Sequence, residues 1–316
     1  MKCVLRLGNK ILRNIPKIGT TLKVGLGGLH AAAITLGLAC GTAVAAEDAN
    51  QPAENLPAHE TPHTAEPPTG GHANLAAAAT NPIANLIQFQ VQNQYNWSNH
   101  NSDGYSNAAV IQPVVPIKLP WEAVPLVITR TTLPYVTTPD LGPGAGRNKG
   151  FGDTSLLTLF TPNLCLKGQT IGLGPTFVIP TAGDDDFTGS GKWQAGPAAI
   201  YINTKTSTQW GLFAFQNWAF ASARSNSTNV NQLSIQPILT HHFDGGWYVG
   251  MPDNPQVYDF RSDKWTLALG PRAGRVFKLG TQPVNLSGAV YHNPIDDNGP
   301  TAEWSAKVSL TFLFPK

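Results

Sequence analysis

From residue 86 onward the chain alternates between apolar and polar positions. In LIQFQVQNQYNW, Ile87, Phe89, Val91, Tyr95 and Trp97 share one parity, and Gln88, Gln90, Gln92, Gln94 and Asn96 share the other. The closing segment EWSAKVSLTFLFPK repeats the pattern: Trp304, Ala306, Val308, Leu310, Phe312 and Phe314 alternate with Glu303, Ser305, Lys307, Ser309 and Thr311, and Leu313 alone breaks it. Side chains of a strand point to opposite faces with a period of two, so both segments predict strands with one apolar and one polar face. A row of Gln amides in a dry sandwich core would need a partner for every amide. Facing a watery lumen the same row costs little, and the apolar face then meets lipid.

The same period predicts further strands near 104–118, 124–134, 150–161, 170–180, 192–203, 208–221, 229–240, 246–253, 263–277 and 283–293, about twelve in all. Segments 124–134 and 208–221 are apolar on both faces, and the period does not orient them. Connections after the odd strands are long and polar or Gly-rich: SNHNSDG, TTPDLGPGAGRNKG, TAGDDDFTGSG, SARSNSTN, DNPQVYDFRSD and NPIDDNGP. Those after the even strands are tighter (LPWEAVP, TKTST, FDGG, KLGTQ), with TPNLCLKGQ the looser exception. An even strand number, short turns on one side and long loops on the other is the arrangement of outer-membrane barrels, with the short turns periplasmic. Trp97, Trp193, Trp210, Trp247, Trp265 and Trp304 fall near predicted strand ends, where interfacial aromatics collect. A spanning sheet leaves no edge unpaired, so the last strand is expected to pair with the first. The fold class expected is therefore all-β, a transmembrane antiparallel up-and-down barrel of about twelve strands.

Composition sharpens this reading. Charged residues make up 13% of the chain, against about 25% in ordinary soluble domains. After residue 46 no apolar run approaches the ~20 residues of a spanning helix. The first 46 residues hold six basic residues (Lys2, Arg6, Lys10, Arg13, Lys17, Lys23) and no acidic one, which leaves 15 basic (21 − 6) against 19 acidic in the remainder. A mildly acidic remainder without a basic stripe argues against nucleic acid as a partner. Residues 1–46 run from this basic stretch into LHAAAITLGLACGTAVAA and end in Ala43-Val44-Ala45, the form of a secretory signal peptide. An N-terminal membrane anchor is the alternative. Residues 47–82 are rich in Pro, Ala, Glu and His with little to bury, which predicts a disordered linker. The barrel is expected over residues 83–316.

Seven stretches in order, FGDTSLLTLFTP, GPTFVIPTA, GSGKWQAGPAA, NVNQLSIQP, DGGWYVG, WTLALGPRAGRVFKLGTQPVN and the closing FLFPK, carry a resemblance to a known family. The chain resembles outer-membrane transporters grouped with the meta-pathway of phenol degradation, over most of residues 83–316. The resemblance implies a Gram-negative outer-membrane location. It implies a loose relation to channels for hydrophobic compounds. The function expected of the chain is a channel passing small hydrophobic or aromatic molecules by diffusion, with no cofactor. Its partners would be outer-membrane lipid and the barrel assembly machinery. Pro315 and Lys316 follow Phe314, so the chain departs from barrels that end on Phe.

By parity with the Gln row, the candidate lumen-lining residues are Gln88, Gln90, Gln92, Arg130, Asp153, Arg272, Glu303 and Lys307. Charge on the lipid side costs about 2–4 kcal/mol for Arg or Lys at the midplane, so inward is the default. Two readings of these charges stay open: a pore wall of opposite signs, or an ion-pair network that braces and plugs the barrel. GDDDF at 183–187 is either a divalent-cation site on an outer loop or solvated loop charge. No metal site is assigned. A structural barrel without transport and an outer-membrane lipid hydrolase are the rival functions. Hydrolysis needs a Ser and a His in reach of each other. The available histidines, His100, His241, His242 and His292, stand in no nucleophile motif, and Ser287 lies opposite His292 in parity. The chain is accordingly read as a non-enzyme.

Overall fold

The computed structural model describes residues 71–183, 187–223, 229–296 and 299–315. The expected signal segment, the linker up to residue 70 and the three acidic residues 184–186 lie outside the described residues.

Strands β1 (Ile87–Asn99), β2 (Ser106–Trp121) and β3 (Val124–Thr137) begin an antiparallel meander. It continues through β4 (Lys149–Phe151), β5 (Thr154–Thr161), β6 (Gln169–Ile179), β7 (Lys192–Asn203), β8 (Thr208–Ser222) and β9 (Asn231–His242). The remainder is β10 (Trp247–Gly250), β11 (Gln256–Asp259), β12 (Lys264–Thr266), β13 (Arg272–Leu279), β14 (Gln282–His292) and β15 (Ala302–Phe314). Three barrel strands are interrupted. β3 pairs with β4 at Tyr135 and with β5 at Leu126, and β9 pairs with β10 at Thr240 and with β11 at Ile235. β12 and β13 likewise pair with β11 and β10. Counting each interrupted pair as one gives a closed barrel of 12 strands. Closure is by β1 against β15, with Ile87 opposite Phe314 and Tyr95 opposite Ala306.

The faces follow the parity. Phe89, Val91, Tyr95 and Trp97 are 39–45% exposed, while Gln88 and Gln92 between them are 4% and 8% exposed. The apolar face is the outside of the barrel and the Gln row is inside. Trp121, Trp210 and Trp247 are exposed near the short-turn rim, and Trp97, Trp193, Trp218 and Trp304 near the long-loop rim. These are the two aromatic girdles of a membrane barrel. Trp97 and Trp304 stack at 6.2 Å across the closing seam.

The stretch read as linker ends differently from that expectation. Helix α1 (Gly71–Thr80) is followed by Asn81 and Pro82, which stop it. Its Ala76 and Ala79 are buried with Leu86, Val276 and Leu313 inside the barrel. Leu313, the one break in the closing alternation, points inward and is 0% exposed because it seats this helix. Gln209 Nε2 donates to Ala77 O at 2.6 Å, and Thr80 Oγ1 lies 2.8 Å from His242 Nε2. Gln209 and His242 sit at the strand ends beside the short turns, so α1 fills the short-turn half of the lumen. Small residues let a helix fit there; a low-complexity Ala run reads as disorder only while the surface it covers is unknown.

A second difference concerns the predicted loop DNPQVYDFRSD. Its first residues belong to an infolded break within the wall, residues 251–255, and Gln256–Asp259 is β11. The loop proper is the short turn 260–263. Pro252 and Pro255 have no N–H for a ladder, which is why pairing stops there. In the neighbouring break, 267–271, a Cβ on Gly270 would lie 2.1 Å from Val290 O, so only glycine permits this backbone approach.

A charge placed outside tests the orientation. Val308, 56% exposed at mid-height of β15, becomes a lipid-facing cation in Val308→Arg. The expected loss is about 2–4 kcal/mol of folding stability, measured by denaturant unfolding from lipid vesicles.

Candidate functional site

The lumen has two unlike walls. β1 and β2 supply an amide ladder: Gln90 Nε2 donates to Gln88 Oε1 at 3.1 Å, and Gln92 Nε2 to Gln90 Oε1 at 2.7 Å and to Gln112 Oε1 at 3.1 Å. Gln112 Nε2 continues it to Thr132 Oγ1 at 2.7 Å. Each amide is thus partly paired within the wall and keeps polar capacity for the interior. The facing wall, from β3, β5, β7, β8 and β9, buries Ile128, Leu157, Leu159, Ile200, Phe213 and Ile238, with Ile83 packed against them.

The infolded break supplies the charge centre. Lys307 Nζ donates to Asp253 Oδ1 at 2.9 Å and to Asn254 Oδ1 at 3.0 Å, and Arg272 Nη1 lies 3.5 Å from Asp253 Oδ2. Asn254 Nδ2 donates to Gln94 Oε1 at 3.0 Å and to Tyr291 OH at 2.9 Å. Arg272 also reaches Thr240 Oγ1 at 3.3 Å and lies over the Tyr248 ring at 5.5 Å. One short backbone excursion, between β10 and β11, therefore reaches side chains of β1, β14 and β15. Arg130 is different. Its guanidinium lies 5.4 Å from the Phe213 ring centroid, and its buried Nε has no hydrogen-bond partner among the described residues. A cavity of about 280 Å³ lies among these groups.

Of the sequence candidates, Gln88, Gln90, Gln92, Arg130, Arg272 and Lys307 line this one cavity. Asp153 and Glu303 do not. Asp153, in the break between β4 and β5, accepts from Ser190 N and Ser190 Oγ, both at 2.7 Å, and so holds the long loop after β6. Glu303 accepts from Ser98 Oγ near the long-loop rim. Parity gives a residue's face and not its height, which is why these two fall away from the centre. Sequence reasoning missed Asp253 and Asn254, placing them in an outer loop. The Pro252–Pro255 spacing inside an otherwise regular strand was the available signal. Among the described residues, the histidine ring nitrogens contact Thr80, Thr208 and the backbone oxygens of Ser207, Asn293 and Glu303.

Asp253 holds two cations that are themselves only 12% and 10% exposed. Removing one partner of such a pair leaves uncompensated buried charge, at a cost of about 3–5 kcal/mol. Asp253→Asn is expected to lower barrel stability by that order, read as an earlier loss of the folded, heat-modifiable band on gels.

No family model matches the chain, and no curated protein sequence matches it. Its fold is similar to that of a COG4313 outer membrane channel from Pseudomonas putida F1, with a TM-score of 0.56 and 13% identity over 81% of this chain and 100% of that one. Fainter likenesses are to the outer membrane phospholipase (OMPLA) dimer of Salmonella typhi with bound calcium (TM-score 0.39, 12% identity, 78% of this chain and 99% of that one). The outer membrane phospholipase A of Escherichia coli is comparable (TM-score 0.38, 12% identity, 72% and 96%). At these identities the likeness is one of fold. A closed antiparallel barrel with an apolar outside and two aromatic girdles is a protein of the bacterial outer membrane.

Proposed function

We propose that the barrel is a channel through which small hydrophobic or aromatic molecules cross the outer membrane by diffusion. The observation that carries this reading is the two-faced lumen. A solute with an apolar body meets Phe215 and Ile238 on one side of the cavity. Any hydroxyl or carbonyl it bears meets the Gln ladder on the other. An ordinary water-filled pore has no use for a half-apolar interior, and a sealed structural barrel has no use for unfilled space at its centre.

Two further points support the reading. The sequence resembles transporters grouped with phenol degradation, and the fold is similar to that of a protein described as an outer membrane channel. The binding and selecting work would fall to the lumen residues: Gln88, Gln90 and Gln92 as amide partners, and Arg130, Arg272 and Lys307 as the charge set. No cofactor enters. Helix α1 stands at the short-turn exit, so its displacement would set the flux.

Purified protein in planar bilayers tests the channel. Measurable conductance, together with facilitated uptake of aromatic solutes by vesicles, is expected; absence of both would reject it and leave a structural barrel. Ala76, 0% exposed on the buried face of α1, offers a sharper version. Ala76→Asp places an unpaired carboxylate in the apolar contact with Val276 and Leu313. This should unseat the helix and raise conductance several-fold without loss of the folded barrel.

A further inference from the structure

The cavity carries more positive charge than it can neutralise. Among the described residues lining it, Arg130, Arg272 and Lys307 are basic and Asp253 is the one acid. Asp253 is already engaged: Lys307 takes Oδ1 and Arg272 lies against Oδ2. Among the described residues Arg130 has no hydrogen-bond acceptor; its guanidinium faces the Phe213 ring and the field of Asp253. Among the described residues the Nε atoms of Arg130 and Arg272 are both buried without a partner. A buried guanidinium N–H left unpaired is costly, and the planar fork of Arg matches a carboxylate through two parallel N–H···O bonds.

We propose that this cavity is a binding site for a carboxylate carried on a small apolar body, a single-ring aromatic acid or its aliphatic equivalent. The inference deepens the channel reading and rests on it for how the ligand arrives. Arg130 and Arg272 receive the carboxylate oxygens, and Lys307 adds charge while holding the infold. The apolar body lies against Val114, Phe215 and Ile238, which line the same cavity. Size favours one ring: about 280 Å³ lies just under the ~300–1,000 Å³ of sites for drug-sized ligands. The chemistry favours a carboxylate over a compact dianion, because a strongly hydrated phosphate would lose its water against the apolar side and gain nothing there. A neutral ring compound fills the space but leaves both Nε atoms unpaired.

Calorimetric titration of the purified full chain in an uncharged detergent tests this with four probes: benzoate, benzyl alcohol, acetate and inorganic phosphate. Benzoate is expected to bind at least tenfold more tightly than the other three. Arg130→Gln should weaken benzoate at least tenfold and leave benzyl alcohol unchanged. Equal affinity for benzoate and benzyl alcohol, tighter binding of phosphate, or an unaltered benzoate affinity in a folded Arg130→Gln barrel would each overturn the proposal. Should that variant fail to fold, the comparison of the four probes on the unsubstituted protein decides alone. Conductance is measured on the same preparation. Benzoate binding without conductance sinks the channel and keeps the site, whereas conductance without benzoate preference sinks the site and keeps the channel.

Discussion

The pairing of β1 with β15 is the constraint on which the rest depends. Hydrocarbon offers no water to a backbone N–H or C=O, so a sheet that spans it must have no edge. Closure divides every strand into lipid-facing and enclosed positions, and it commits the chain to filling or using what it encloses. The rule holds even where the wall is broken. At the interruption between β12 and β13, Gln256 Oε1 accepts from Ala268 N at 2.7 Å and Gln256 Nε2 donates to Ala268 O at 3.2 Å. Asn293 Oδ1 takes Leu267 N at 3.0 Å. Side-chain amides replace the missing ladder, which lets residues 251–255 leave the wall without stranding its backbone groups.

Much of the wall was legible because lipid and lumen impose opposite demands on alternate residues. The strand predicted at 192–203 has the same ends in the structure, and the closing alternation from Glu303 to Phe314 falls within β15. Segments 124–134 and 208–221 could not be oriented, and the lumen explains why. Ile128 and Phe213 point into the apolar inner wall, while Leu133 and Leu212 face lipid. Both faces are apolar for different reasons, and a period of two has nothing to separate. The breaks were less legible. Alternation reports parity, and parity survives an excursion such as 251–255 with only prolines to mark it. Leu313 was visible as an exception, but its meaning needed the helix beneath it, and an Ala-rich run names no partner.

The candidate site was legible by face and not by depth. Arg130, Arg272 and Lys307 meet at the centre although they are far apart in sequence. Asp153 and Glu303, equally inward by parity, are spent on a loop and on the rim seam. The acid that completes the centre, Asp253, comes from the one backbone segment that leaves the sheet. A pattern method that assigns every residue to a strand or a loop has no third category for it.

The two readings of the lumenal charges, pore wall and brace, divide between residues and do not compete for all of them. Asp253 with Lys307 and Arg272 is a brace: it fixes the infold, and the infold in turn, through Asn254, fixes Gln94 and Tyr291. Buried ion pairs seldom add net stability over an apolar replacement, and a good use for one is to specify a single arrangement. Here that arrangement keeps a cavity open between an amide wall and an apolar wall. Arg130 lies outside the brace. It braces nothing by hydrogen bond, and an apolar residue would pack against Phe213 at lower cost. A cation kept under those conditions is explained by what enters the cavity, not by what surrounds it.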